Sequence, residues 1–162
     1  ADNGIVHVVD AVIGLPSVVT FAVADPTFST LVAALTRDDL TTDFVGVLST
    51  ATGTSPAPFT VFAPTNDAFG SLLSELGIAG LADIDEPTLD AVLKNHVVAG
   101  ANVLDTDLTD DMTVTTLGGD ITANVTGGAT LTDSSGRVSD IIATNIQANN
   151  GIIHAINKVI LP

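Results

Sequence analysis

Apolar positions follow two rhythms along the chain, and the change falls at Gly100. Before it they recur every three or four residues. One set is Phe28, Leu31, Val32 and Leu35; a second is Leu40, Phe44, Val47 and Leu48. A third is Phe69, Leu72, Leu73 and Leu76; a fourth is Leu89, Val92, Leu93 and His96. That spacing places each set on one face of a helix. The start and stop signals agree. Asp25-Pro26 reads as an N-cap followed by proline at the first helical position. Thr65 caps the third set, with Asp67 in its first turn where a carboxylate meets the positive end of the helix dipole. Gly77 stops that helix, and Asp85-Glu86-Pro87 opens the last one. Between the second and third sets, Ser49 to Pro58 is a small-residue loop, and Phe59 to Ala63 reads as a strand ended by Pro64.

After Gly100 the runs turn rich in Thr, Val and Ile: Met112 to Leu117, Ile121 to Thr126, Ala129 to Asp133, Ile141 to Ile146 and Ile152 to Leu161. Gly118-Gly119, Gly127-Gly128 and Ser135-Gly136 punctuate them, which predicts an antiparallel, hairpin-rich half. Helices gathered first and strands later give an α+β class, not an alternating βαβ one.

Composition narrows the chemistry. The 162 residues carry 19 acids and four bases, a formal net charge of −15. A nucleic-acid binder needs a cationic footprint, and anionic lipid repels such a chain, so neither partner is expected. There is no Cys, hence no disulfide frame or thiolate metal site. With six Phe and no Trp or Tyr, the core rests on aliphatic residues. The longest apolar stretch, Val18 to Ala24, is far short of the roughly 20 residues of a membrane span, so no direct membrane insertion is expected.

The two ends of the chain echo each other. Asn3-Gly4-Ile5-Val6-His7 near the start matches Asn150-Gly151-Ile152-Ile153-His154 near the end. With one extra residue at Gly14, the match runs on through Val12, Ile13, Leu15 and Pro16 against Val159 to Pro162. A repeat about one domain length apart marks an array. Residues 1–16 then read as the closing strand of a preceding copy plus a linker, and residues 17–162 as one complete copy. A spare strand of this kind offers self-association through residues 1–16.

Three segments stand out together: Phe59 to Phe69 (FTVFAPTNDAF), Leu93 to Gly100 (LKNHVVAG) and Asn150 to Pro162 (NGIIHAINKVILP). In this order and spacing they resemble the first signature, the Tyr-His segment and the second signature of the fasciclin domain. The resemblance implies a β-wedge of about seven strands packed with several helices. It implies a secreted or cell-surface setting, tandem repetition, and a non-enzymatic role in cell adhesion or contact with the extracellular matrix. The implied partner is a protein or glycan on a surface or matrix, with no cofactor and no reaction. A carbohydrate- or small-ligand-binding module of a secreted protein is the alternative. Asn95 stands where the family has Tyr, so integrin recognition argued from that Tyr is not carried over.

The same resemblance makes Asp67, His96 and His154 structural motif residues, with Asp67 expected beside His96 as the partner of a buried imidazole. His7 is the counterpart of His154. No Gly-x-Ser-x-Gly pattern accompanies the His-Asp pair, which argues against a hydrolase triad. Asp105, Asp107, Asp110 and Asp111 are candidates for weak calcium binding. They do not form an EF-hand loop, because Asp110 and Thr116 occupy the places of its Gly and Glu. Asp38, Asp39, Asp83, Asp85 and Glu86 are read as helix caps.

Overall fold

The computed structural model describes residues 14–162; the N-terminal echo up to Ile13, His7 included, lies outside the described residues. The chain runs through α1 (Val18–Ala24), α2 (Ser29–Leu35), α3 (Phe44–Leu48), β1 (Phe59–Pro64), α4 (Asn66–Leu76) and α5 (Glu86–Lys94). It continues through β2 (Val97–Ala99), β3 (Met112–Thr115), β4 (Asp120–Asn124), β5 (Thr130–Thr132), β6 (Val138–Ala148) and β7 (Gly151–Ile156). The strands form one seven-stranded sheet in the order β2-β1-β7-β6-β5-β4-β3. All neighbours are antiparallel except β1 and β7, which run parallel with Phe59 opposite Gly151 and Pro64 opposite Ile156. The α+β class holds, and the strand count is the one the resemblance implies.

The capping residues act as the sequence predicts. The Thr65 hydroxyl accepts from the Ala68 amide at 3.3 Å, and the Asp85 carboxylate accepts from the Thr88 amide at 3.3 Å. Gly77 closes α4 at φ 67°, a left-handed conformation that costs glycine little. Asp25 caps a single 3₁₀ turn, Pro26–Phe28, that leads straight into α2.

Some boundaries differ from the periodicity. α3 begins only at Phe44, because Asp43 accepts from the Gly46 amide at 2.8 Å and sets the start there; Leu40 therefore lies outside it. α5 ends at Lys94, so His96 is not on its helical face but in the turn into β2. α1 is built from the apolar stretch Val18–Ala24, which is rich in Val and carries only the Ser17 cap to announce a helix, its side chain accepting from Thr20 at 3.1 Å. No single helix among the described residues is long and apolar enough to cross a membrane.

Strand periodicity sorts the core into two layers. Phe59, Val61 and Ala63 of β1 and Ile153 and Ala155 of β7 face a helical layer that includes Phe28, Leu31, Phe44, Phe69, Leu72, Leu89 and Leu93. Phe62 and Ile156 point to the other side, where Val98, Leu108, Val114, Ile121, Leu131 and Ile160 close over them. β1 and β7 are thus covered on both faces, and every residue of each is buried. The one polar side chain among the first five residues of β1, Thr60, is satisfied inside: its hydroxyl donates to Ala101 O at 2.9 Å and accepts from the Val103 amide at 2.8 Å.

Candidate functional site

The three signature segments meet around the β1–β7 pair, and five of their polar residues, Thr60, Asn95, His96, Asn150 and His154, are buried there. His96 shows this most clearly. Its ring is fully buried, and the amide of Ile160 donates to Nε2 at 3.0 Å. An amide can only donate, so Nε2 is unprotonated and the ring proton sits on Nδ1, 2.7 Å from Val92 O, to which it donates. The imidazole is a neutral two-ended clamp between the last turn of α5 and the C-terminal segment. Burial pushes its pKa down to about 4, since a charged ring here would be stripped of water and would aim an N–H at another N–H.

His154 lies in β7 and is also buried. Nε2 meets Val103 O at 2.8 Å and the ring stacks on Phe62 with centroids 5.6 Å apart. Nδ1 is buried without a hydrogen-bond partner, which fits a neutral ring whose proton is on Nε2. Burial lowers its pKa, and the bond to Val103 O and the neighbouring Asp105 charge only partly offset this.

The expected Asp67–His96 pair is not formed. Asp67 is exposed in the first turn of α4, while backbone groups occupy both nitrogens of His96. The reason lies in the end of α5: the chain leaves the helix at Asn95, and the ring folds back on the carbonyl four residues earlier. The linking role near Asp67 belongs instead to Asn66. Its Oδ1 accepts from the Thr30 amide at 2.9 Å and its Nδ2 donates to Pro26 O at 2.9 Å, tying α4 to the entry of α2.

Asn150 is the other residue whose role the motif did not disclose. It is buried and bonds α1, the end of α3 and the loop that follows α3. Oδ1 accepts from the Val18 amide of α1 at 3.0 Å, and Nδ2 donates to Leu48 O of α3 at 2.8 Å and to Thr50 O at 2.9 Å. Gly151 beside it has a steric reason: a Cβ there would lie 2.3 Å from Phe59 O. Asn95, at the family's Tyr position, is buried too, with the Thr116 hydroxyl at 3.4 Å and Gly118 packed against its amide.

Three of the four calcium candidates are taken up by donors from the protein, and the fourth, Asp111, is exposed beside them. Asp110 accepts from the Val125 amide at 2.7 Å, the Thr126 amide at 2.8 Å and the Thr126 hydroxyl. Asp105 accepts from Asn145 Nδ2 at 2.6 Å and Thr144 Oγ1 at 3.2 Å, and Asp107 accepts from the Leu104 amide at 3.0 Å. These donors hold the Asp105 and Asp110 carboxyls below the usual range. Among the described residues no three His, Asp or Glu side chains converge as metal ligands. Calorimetric titration with millimolar calcium is expected to give no saturable heat; a saturable signal lost in Asp110→Ala would reverse this.

The bases are largely committed as well. Arg37 pairs with Asp39 at 2.5 Å, Lys94 with Asp90 at 2.6 Å and Arg137 with Glu75 at 2.9 Å, which leaves an acidic exterior.

The comparisons with known proteins agree with this architecture. The fasciclin domain profile matches residues 26–162. The chain is 39% identical over 148 residues to the uncharacterized protein sll1735 of Synechocystis, covering 91% of this chain and 98% of that one. It is 28% identical over 164 residues to human periostin, covering 100% of this chain and 18% of that one. Among solved structures, a FAS1 domain pair from the insect cell adhesion molecule fasciclin I superposes with a TM-score of 0.67 over 92% of this chain and 52% of that one. At 15% identity that likeness speaks for the fold alone. The chain belongs to the fasciclin domain family.

Proposed function

We propose that this domain is a non-enzymatic interaction module of a secreted or cell-surface protein, acting in adhesion through many weak contacts along a tandem array. The observation that carries the reading is the inward turn of the signature residues. His96, His154, Asn66 and Asn150 are all engaged in holding the fold, and the ring nitrogens of His96 are both taken by backbone groups, so it is not free to serve as a base. What distinguishes the family in this chain is a scaffold, and recognition falls to its exterior. That exterior is acidic, with a formal net charge of −15, which favours cationic protein surfaces as partners. Fasciclin I, of like fold, is an insect cell adhesion molecule. The unit spans nearly the whole of sll1735 and a small part of periostin, so it occurs both nearly alone and within longer chains. Residues 1–16 are read as the closing strand and linker of a preceding unit.

Carbohydrate binding is the second reading, and one feature favours it. An open groove of about 350 Å³ runs between α2 and α3, lined by Thr36, Arg37, Thr41, Thr42 and Asp43 among others. A glycan array probed with the single domain separates the two: saturable micromolar binding abolished by Thr42→Trp would move the function into the groove, and its absence supports the adhesive array.

A further inference from the structure

The fold dictates both residues at the start of β7. Asn150 must be an amide: Oδ1 accepts from the Val18 amide at 3.0 Å, and Nδ2 donates to Leu48 O at 2.8 Å and to Thr50 O at 2.9 Å. Gly151 must lack a side chain, because a Cβ there would lie 2.3 Å from Phe59 O. Together they make an Asn-Gly pair, and residues 14–162 hold no other. An Asn before Gly is the least durable amide in a polypeptide. Its Cγ can close a five-membered ring with the next backbone nitrogen. Glycine neither shields that nitrogen nor restricts the rotation that brings it in.

We infer that Asn150-Gly151 is a deamidation site that the fold holds closed and that unfolding opens. In the reaction the Gly151 nitrogen bonds to Asn150 Cγ and gives up its proton. The Cγ–Nδ2 bond breaks, and the amide leaves as ammonia with that proton. Water then opens the cyclic imide at either carbonyl, leaving aspartate or isoaspartate at position 150. Water is the sole co-reactant. In the folded domain the carboxamide would have to leave all three of its bonds to reach the Gly151 nitrogen. Asn150 is also only 2% exposed, which keeps water away. The three partners stand 132, 102 and 100 residues away along the chain. Global unfolding therefore releases the amide from all of them together.

The product does not fit the place it left. Aspartate keeps an acceptor for Val18 but has no N–H for Leu48 O and Thr50 O, and it puts a charge in the interior. Isoaspartate carries the main chain through Cγ and lengthens it by one carbon. That carbon enters where the Phe59 amide donates to Asn150 O at 3.0 Å, so the register that sets Phe59 opposite Gly151 is lost. Time spent unfolded at neutral or alkaline pH is thereby converted into a permanent loss of stability. This holds whatever the exterior binds.

The full chain is incubated at mildly alkaline pH, folded and in guanidinium chloride. Trypsin cuts after Arg137 and Lys158, so position 150 is read on the peptide 138–158 by fragment mass spectrometry. Conversion is expected to be about a hundredfold or more slower in the folded protein, because only the small opened population reacts. After dilution out of guanidinium, converted chains are expected to melt about 10 °C lower than fresh ones or to stay unfolded. Asn150→Asp, made directly, is expected to behave as the converted aspartate chains do. Asn150→Ala cannot cyclise, so its refolding and melting are expected not to change with time in guanidinium. A change there would assign the loss to another residue and overturn the inference. Conversion at equal rates in the folded and the unfolded protein, or converted chains that melt with fresh ones, would overturn it as well.

Discussion

Replacing His96 by alanine is expected to cost about 3–4 kcal/mol at pH 7.5, lowering the melting temperature by about 10 °C. Two effects add. The clamp is lost, so Val92 O and the Ile160 amide are left in the interior without their partner. A cavity also opens where a fully buried ring had been. The pH dependence sets this apart from ordinary loss of packing. The folded-state pKa, about 4, lies below the roughly 6.5 of an unfolded histidine. The unfolded chain therefore binds the proton first. Stability owed to the neutral ring is complete above pH 6.5 and is lost as pH falls toward 4, amounting to about 3 kcal/mol. The gap between the unaltered protein and His96→Ala should narrow across that window. His154, whose pKa is also lowered by burial, adds a dependence of the same sign to both proteins. Urea melts at intervals from pH 7.5 to pH 4 read this directly, and a gap that stays constant would rule out the neutral clamp.

Asn150→Ala is expected to cost about 3 kcal/mol, from three hydrogen bonds lost at once with buried backbone groups left behind. Its side chain is the meeting point of α1, the end of α3 and β7, so the loss should loosen α1 first. Hydrogen exchange at the Val18 amide should accelerate more than exchange in β4 or β5. Asn150→Asp is the informative control. It keeps an acceptor for Val18 but turns a carboxylate toward the carbonyls of Leu48 and Thr50, so it should rescue little. If Asn150→Asp melts with the unaltered protein, the two donated bonds are not what holds this corner.

Much of the fold was legible because local signals and burial agree. The helical sets before Gly100 and the Thr, Val and Ile runs after it each carry their own caps and turns, and α4 is announced at both ends by Thr65 and Gly77. What periodicity could not give was anything decided by distant partners. β2 has only three residues and forms because β1 offers an edge to Val97–Ala99. The parallel pairing of β1 with β7 joins segments on opposite sides of the whole antiparallel half. The same limit separates the polar residues. Asp67 and His96 look like partners in the motif, yet the end of α5 at Lys94 turns the ring to the backbone. Asn66 and Asn150 stood inside the quoted motifs, and their roles emerged only with the elements they join. A buried Asn beside an obligatory glycine is a pattern that, read physically, would have pointed to Asn150.

If, as proposed, the fold is a scaffold whose exterior adheres weakly and repeatedly, copy number should govern attachment. Beads coated with chains of one, two and four linked copies, with retention measured on cationic protein matrix under flow, read this. Retention is expected to rise by about a hundredfold or more from one copy to four, as avidity requires, and to fall as salt screens the acidic surface. Retention that is unchanged by copy number, or a single copy that already binds one small sugar saturably in the groove between α2 and α3, would rule out adhesion by a weakly binding, repeated exterior.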